Sequence, residues 1–250
     1  MTDVTRRRLM GAAAALPLAG LATPLMAEAP PLGPSFARHR RFMLGSFEVT
    51  TILAGTNMRP DPQEIFGLNV PEEEFEEVSR AHFLSTDESR FWFTPTVVNT
   101  GSQVILFDTG LNPGGITGAL MEAGYEADQV DTVVITHMHG DHIGGLMDLG
   151  AATFPNAAYV TGQVEYDHWA GAGNDGFNSK VRPLADRMSF LAPGQDVAGG
   201  ITSVWAYGHT PGHLGYHIES DGARLVLFAD LANHPVWSLA RPDWEVRFDM

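Results

Sequence analysis

Thr136-His137-Met138-His139-Gly140-Asp141-His142-Ile143-Gly144-Gly145 follows directly on Val133-Val134-Ile135, a short apolar run of the kind that forms a strand buried on both faces. His137 and His139 are two apart, so in an extended segment both side chains leave on one side. Asp141 and His142 come next, where residues 142–149 predict the start of a helix. Gly140, Gly144 and Gly145 permit the tight backbone that packs three histidines and an aspartate into six residues. Imidazoles suit zinc and similar borderline metals, and the carboxylate adds a harder donor. The plain alternative is a set of solvated histidines on a polar loop, and His39, His82, His168 and His217 are read that way. The density of donors at the mouth of an apolar strand points instead to a metal site.

Two further donors lie downstream. Gly208-His209-Thr210-Pro211-Gly212-His213 follows a strand predicted over 201–206 and places His209 at its end, while His213 packs at the start of the next strand (214–219) or supports the ligands. Asp230 closes a predicted strand over 224–229, where a carboxylate is costly to bury without a cation. Asp108 ends the strand Val104–Asp108 in the same way; it either caps the turn before Gly110 or, as we prefer, accepts a hydrogen bond from the outer ring nitrogen of a ligating histidine. The hairpin 97–108 and the hairpin 216–230 share one plan. Two similar halves put both strand ends on one edge of a two-sheet core, where ligand sites form.

The remaining segments read more simply. Residues 42–53 predict a strand or hairpin, Gly114–Gly124 a helix, Ala158–Val160 a strand and the Gly- and Asn-rich 171–178 a loop. The acidic run Glu72-Glu73-Glu74-Phe75-Glu76-Glu77 is a solvated helix face. Phe91-Trp92-Phe93, with Trp169 or Phe177, either lines an apolar pocket or serves core and lid packing. The final Phe248-Asp249-Met250 looks like the start of a helix.

The 250 residues fit one large domain, with no visible boundary, and 44% hydrophobic content supplies its core. Thirty acids against fifteen bases give a net charge of −15, which repels a nucleic-acid backbone. With no cysteine, metal ligands are confined to His, Asp, Glu and water. Residues 1–29 read as a cleaved twin-arginine signal peptide: Arg6-Arg7-Arg8, an apolar run from Gly11 to Met26, and small Ala27 and Ala29 before Pro30-Pro31. The alternative, a membrane anchor, suits poorly a short run broken by Pro17 and Pro24. The expectation is a periplasmic or secreted protein with no stable membrane anchor.

The series His137-x-His139-x-Asp141-His142, then His209 and Asp230, resembles the metallo-β-lactamase superfamily over nearly the whole mature chain. Leu44–Thr50, the 97–108 hairpin and Gly208–Leu227 look like its exported branch of methyl parathion hydrolase and related lactonases. The resemblance implies an α/β fold, a four-layer αββα sandwich of two mixed β-sheets flanked by helices, spanning residues 30–250. It implies two divalent metal ions, zinc foremost. His137, His139 and His209 would hold one, Asp141 and His142 would help hold the second, and Asp230 would bridge them. The family supplies one more histidine beyond the bridging aspartate, but only twenty residues follow Asp230. The last strand and helix are therefore expected to be missing, with His234 the one histidine left in that tail.

The implied chemistry is hydrolysis of a small-molecule ester, lactone or phosphotriester by a metal-bound hydroxide, with Asp141 orienting it and carrying a proton. Two rivals come from other classes: a mono-iron oxidoreductase of the same fold, and an inactive or truncated binding protein. A homodimer is compatible with all three.

Overall fold

Apolar runs bounded by turns build two facing sheets in the computed structural model, which describes residues 35–250; the expected signal peptide, residues 1–29, lies outside the described residues. The strands in chain order are β1 (His39–Leu44), β2 (Phe47–Ile52), β3 (Gly55–Pro60), β4 (Glu88–Phe93), β5 (Thr96–Asn99), β6 (Val104–Phe107), β7 (Thr132–Val134), β8 (Met147–Asp148), β9 (Ala151–Ala152), β10 (Ala158–Gly162), β11 (Met188–Leu191), β12 (Asp196–Ala198), β13 (Ile201–Trp205), β14 (Leu214–Ser220) and β15 (Ala223–Leu227). The helices are α1 (Glu72–Ala81), α2 (Pro113–Glu122), α3 (Gly140–Ile143), α4 (Gln163–Gly171) and α5 (Asp175–Lys180).

The first sheet is mixed, in the order β1-β2-β5-β6-β7-β10-β11. Its first four strands run antiparallel, and β6, β7, β10 and β11 run parallel. The second sheet, β12-β13-β14-β15, is antiparallel throughout, where a second mixed sheet was expected. Val49, Val98, Ile105, Phe107 and Val134 face Ile201, Leu214, Tyr216 and Ile218 in the core between the sheets. On its other face the first sheet packs on Ile116, Ala119 and Leu120 of α2, Trp169 of α4 and Phe177 of α5. A third cluster joins Phe66, Phe75 and Val78 to Trp237, Trp244 and Val246. Among the described residues no helical layer covers the outer face of the second sheet, where His217, Glu219, Arg224 and Val226 are exposed. No helix among them is long and apolar enough to cross a membrane.

This topology collects strand ends. β6, β7 and β10 are parallel, so the residues after them leave one edge of the first sheet. β13 and β15 both run antiparallel to β14, so their ends share an edge too. The two hairpins predicted as equivalents, β5–β6 and β14–β15, sit in different sheets and deliver Asp108 and Asp230 to the same place.

Several local expectations change. The stretch 171–178 contains α5: the Asn174 side chain accepts a hydrogen bond from the Phe177 N–H at 2.9 Å, and burial of Phe177 fixes the turn. Strand β15 ends at Leu227 rather than Ala229, because Ala229 adopts a left-handed φ of 46° and throws Asp230 into a helical turn over Ala229–Leu231. The helix predicted over 142–149 is only α3, and the chain then enters the β8–β9 hairpin. Residues 248–250 form no helix.

Candidate metal centre

β7 ends at Val134, and the extended residues after it send His137 and His139 to one side, as their spacing predicts. Gly144 and Gly145, not Gly140, make the turn that follows: a Cβ on Gly144 would stand 2.2 Å from the Leu111 carbonyl oxygen, and one on Gly145 2.3 Å from that of Thr109, whereas nothing approaches Gly140. The loop after β6 therefore packs flush against the loop after β7.

The donor atoms converge. His137 Nε2 lies 3.1 Å from His139 Nδ1, which lies 2.9 Å from His209 Nε2. Asp230 Oδ2 is 3.5 Å from His209 Nε2 and 4.0 Å from His137 Nε2, and its Oδ1 is 3.4 Å from His142 Nε2. Asp141 Oδ2 is 3.5 Å from the same His142 nitrogen. Two groups of donors emerge, each within 4.8 Å: His137, His139 and His209, and His137, His142 and Asp230. All six predicted ligand residues are thus brought together, Asp141 at the margin of the second group.

The rings of His142, His209 and His213 are held from behind. His142 Nδ1–H donates to Asp108 Oδ2 at 2.9 Å, and Asp108 also accepts from the Thr136 N–H at 2.9 Å and its hydroxyl at 2.8 Å. Asp108 therefore takes the preferred part, not the turn cap. His209 Nδ1–H donates to Asp249 at 2.8 Å. His213 Nδ1–H donates to the Ala206 carbonyl at 2.8 Å, and its buried Nε2 makes no hydrogen bond to a described residue. Two acids went unnoticed in the sequence. Asp249 is one; Glu165 is the other, fully buried and accepting from Met138, Trp169, Thr210 and Gly212. Neither sits in a spaced motif, so no local pattern signals it.

The donor set fits divalent cations. With the outer nitrogens of His142 and His209 protonated, their inner nitrogens present lone pairs towards other nitrogens and carboxylate oxygens. Lone pairs at such separations repel unless a proton or cation lies among them. Burial, aided by the neighbouring His209, lowers His139 to about 4, and burial with its ring of histidine neighbours holds His137 well below its ordinary value. Both rings are neutral and ready to ligate. Burial opposes charge on His142, but Asp108 and Asp230 outweigh it and push its pKa well above normal. Burial likewise opposes charge on Asp141 and Asp230, yet His142 holds both below the usual carboxylate range.

The centre opens into a cleft of about 1080 Å³. In the β3–β4 ribbon Phe91 pairs with Asn57 and Phe93 with Gly55, so these four share the face towards the cleft, with Arg59 and Ser89 farther out. Trp92 lies on the opposite face of the ribbon, 42% exposed, and also lines the cleft. Trp169 and Phe177 do not line it: both belong to the core beneath the first sheet. His234 lines the cleft away from the donor groups, its Nδ1 accepting from the Val236 and Trp237 N–H groups at 3.2 and 3.1 Å.

Comparison with known proteins agrees with this geometry. The family model of the metallo-beta-lactamase superfamily matches residues 94–248. The probable metallo-hydrolase YybB of Bacillus subtilis (strain 168) is 27% identical over 147 residues, 56% of this chain and 60% of YybB. The N-acyl homoserine lactonase of Bacillus thuringiensis is 25% identical over 112 residues, 45% of this chain and 42% of that one. The chain thus spans about three-fifths or less of these relatives. In structure it is similar to AidC, a dizinc quorum-quenching lactonase (TM-score 0.76, 23% identity, 84% of this chain and 80% of that one). It is equally similar to the hydrolase AbOPH (TM-score 0.78, 23% identity, 86% and 81%). At these identities the likeness speaks for the fold.

Proposed function

The chain belongs to the metallo-β-lactamase superfamily, and from that premise we propose that it is a metal-dependent hydrolase of a weakly polar ester, lactone or phosphotriester. One observation carries the proposal: His139, Asp141, His142, His209 and Asp230 line a cleft that Phe91 and Phe93 also line, with His137 buried behind them within the donor groups. His137, His139 and His209 would hold one ion, His142 and Asp141 would help hold a second, and Asp230 lies within reach of both donor groups. Divalent cations, zinc foremost, would supply Lewis acidity there: polarisation of an electrophilic oxygen and a lowered pKa for a bound water. The other tasks fall to the chain itself. Asp108 and Asp249 fix which nitrogen of His142 and of His209 faces inward. Asp141, held ionised by His142, accepts a proton at a carboxylate oxygen and passes it to the leaving group. Phe91 and Phe93 exclude water from the substrate and bind its apolar part.

The lactonase neighbours AidC and the Bacillus thuringiensis enzyme favour a lactone within this set. The test is hydrolysis of a panel of aryl esters, N-acyl lactones and phosphotriesters by metal-loaded protein, before and after dialysis against a chelator. Activity on at least one class, lost on chelation and restored by zinc, is expected. Activity indifferent to chelation defeats the proposal, and one bound iron with oxygen consumption defeats it in favour of redox chemistry. We also propose that residues 1–29 are an export signal, which predicts an exported form that starts at Pro30 by N-terminal sequencing.

A further inference from the structure

Glu165, the third residue of α4, is completely buried, and its four partners are all uncharged donors. Oε1 accepts from the Met138 N–H at 2.8 Å and the Trp169 indole N–H at 2.7 Å. Oε2 accepts from the Thr210 hydroxyl at 2.7 Å and the Gly212 N–H at 3.0 Å. A buried carboxylate is costly to desolvate, and four donors to one charged acceptor offset that cost.

The partners are placed where they matter. Met138 stands between His137 and His139, on the loop that leaves the first sheet; Thr210 follows His209, on the loop that leaves the second. One oxygen therefore grips the loop bearing two imidazoles, and the other grips the loop bearing the third. Trp169, held by the first oxygen, packs edge-on to His139 with ring centroids 5.7 Å apart. The close approach is built into the backbone: a Cβ on Gly212 would stand 2.1 Å from the Glu165 nitrogen. Only a carboxylate offers acceptors on both arms; an amide must turn a donor towards one of the loops.

We infer that Glu165 is a positioning residue of the metal centre, whose carboxylate sets the spacing of His137 and His139 against His209 and thereby the affinity and geometry of the ion they share. This rests on the metal-centre reading above. The test is titration of metal-free protein with cobalt(II), followed by its visible absorption and by competition with a chromophoric chelator. Glu165→Gln is expected to keep the circular dichroism of the native fold, to bind the tighter cobalt ion about 10- to 100-fold more weakly, and to shift its visible bands. Thr210→Val and Trp169→Phe, which each remove one donor, are expected to weaken binding in the same direction by less, and they decide the matter if Glu165→Gln does not fold. A folded Glu165→Gln with wild-type affinity and spectrum overturns the inference, as do wild-type values in both single-donor variants when Glu165→Gln is unfolded. A wild-type protein that takes up no cobalt instead overturns the metal-centre reading itself.

Discussion

Asp108 adopts a left-handed φ of 63°, a conformation aspartate tolerates better than most residues, and this turn aims its carboxylate back at Thr136 and His142. Asp108→Asn turns one oxygen into a donor and spoils the hold on His142 Nδ1–H. We expect kcat/KM to fall about 10- to 100-fold with little change in fold, measured by steady-state hydrolysis and circular dichroism. The convergence of the six candidate donors and the hold of Asp108 on His142 were legible because these residues follow apolar strands, where a polar side chain is conspicuous. Glu165 and Asp249 were not, since a single acid in a helix or a tail looks solvated until tertiary packing closes over it. Leu149 carries a separate prediction. With Gly150 it forms the two-residue turn of the β8–β9 hairpin, and both have positive φ (46° and 89°). Such a turn favours Asn-Gly, and leucine in it is fully exposed. Leu149→Asn is expected to raise stability by about 1 kcal/mol in denaturant melts.

At the scale of elements, strands were read well wherever a run was wholly apolar or alternated, as in β7, β13 and β14. Boundaries slipped where backbone geometry overrode composition: β15 stops early at the left-handed Ala229, and α5 forms in a segment rich in Gly and Asn because Phe177 is buried there. The sequence Phe91-Trp92-Phe93 could not say which rings face the cleft, since that depends on the register of β4 against β3. The turn over Pro235–Leu239 is capped by His234, whose ring also stacks on Trp237 with centroids 4.1 Å apart. His234→Ala should cost about 1 kcal/mol or somewhat more. Burial lowers His234 to about 4, below its unfolded value, so between those values the unfolded chain binds the additional proton. This contribution is present at neutral pH and declines as pH falls through about 6.5 towards 4. Melts at pH 7 and pH 5 should show a smaller difference for His234→Asn, which keeps a cap but does not titrate.

For the molecule as a whole, the pairing of two similar hairpins was visible in the sequence and is realised as two sheets whose strand ends meet. The antiparallel second sheet was not foreseen, because strand direction depends on pairings far apart in the chain. Native donors from both sheets mean that metal binds the folded state far better than the unfolded one. Zinc at one hundred times its dissociation constant should add about 2.7 kcal/mol of stability. Differential scanning calorimetry should show a higher Tm with zinc, reversed by chelator and absent in His137→Ala. His137 and Asp230 bring this to a point: 4.0 Å apart, they follow strands of different sheets and are far apart along the chain. An ion held by both would rivet the two leaves of the molecule, which could then not part before it departs. The lifetime of the native protein against a protease should then follow the off-rate of the metal, lengthening with slow-exchanging cations even where equilibrium stability is unchanged.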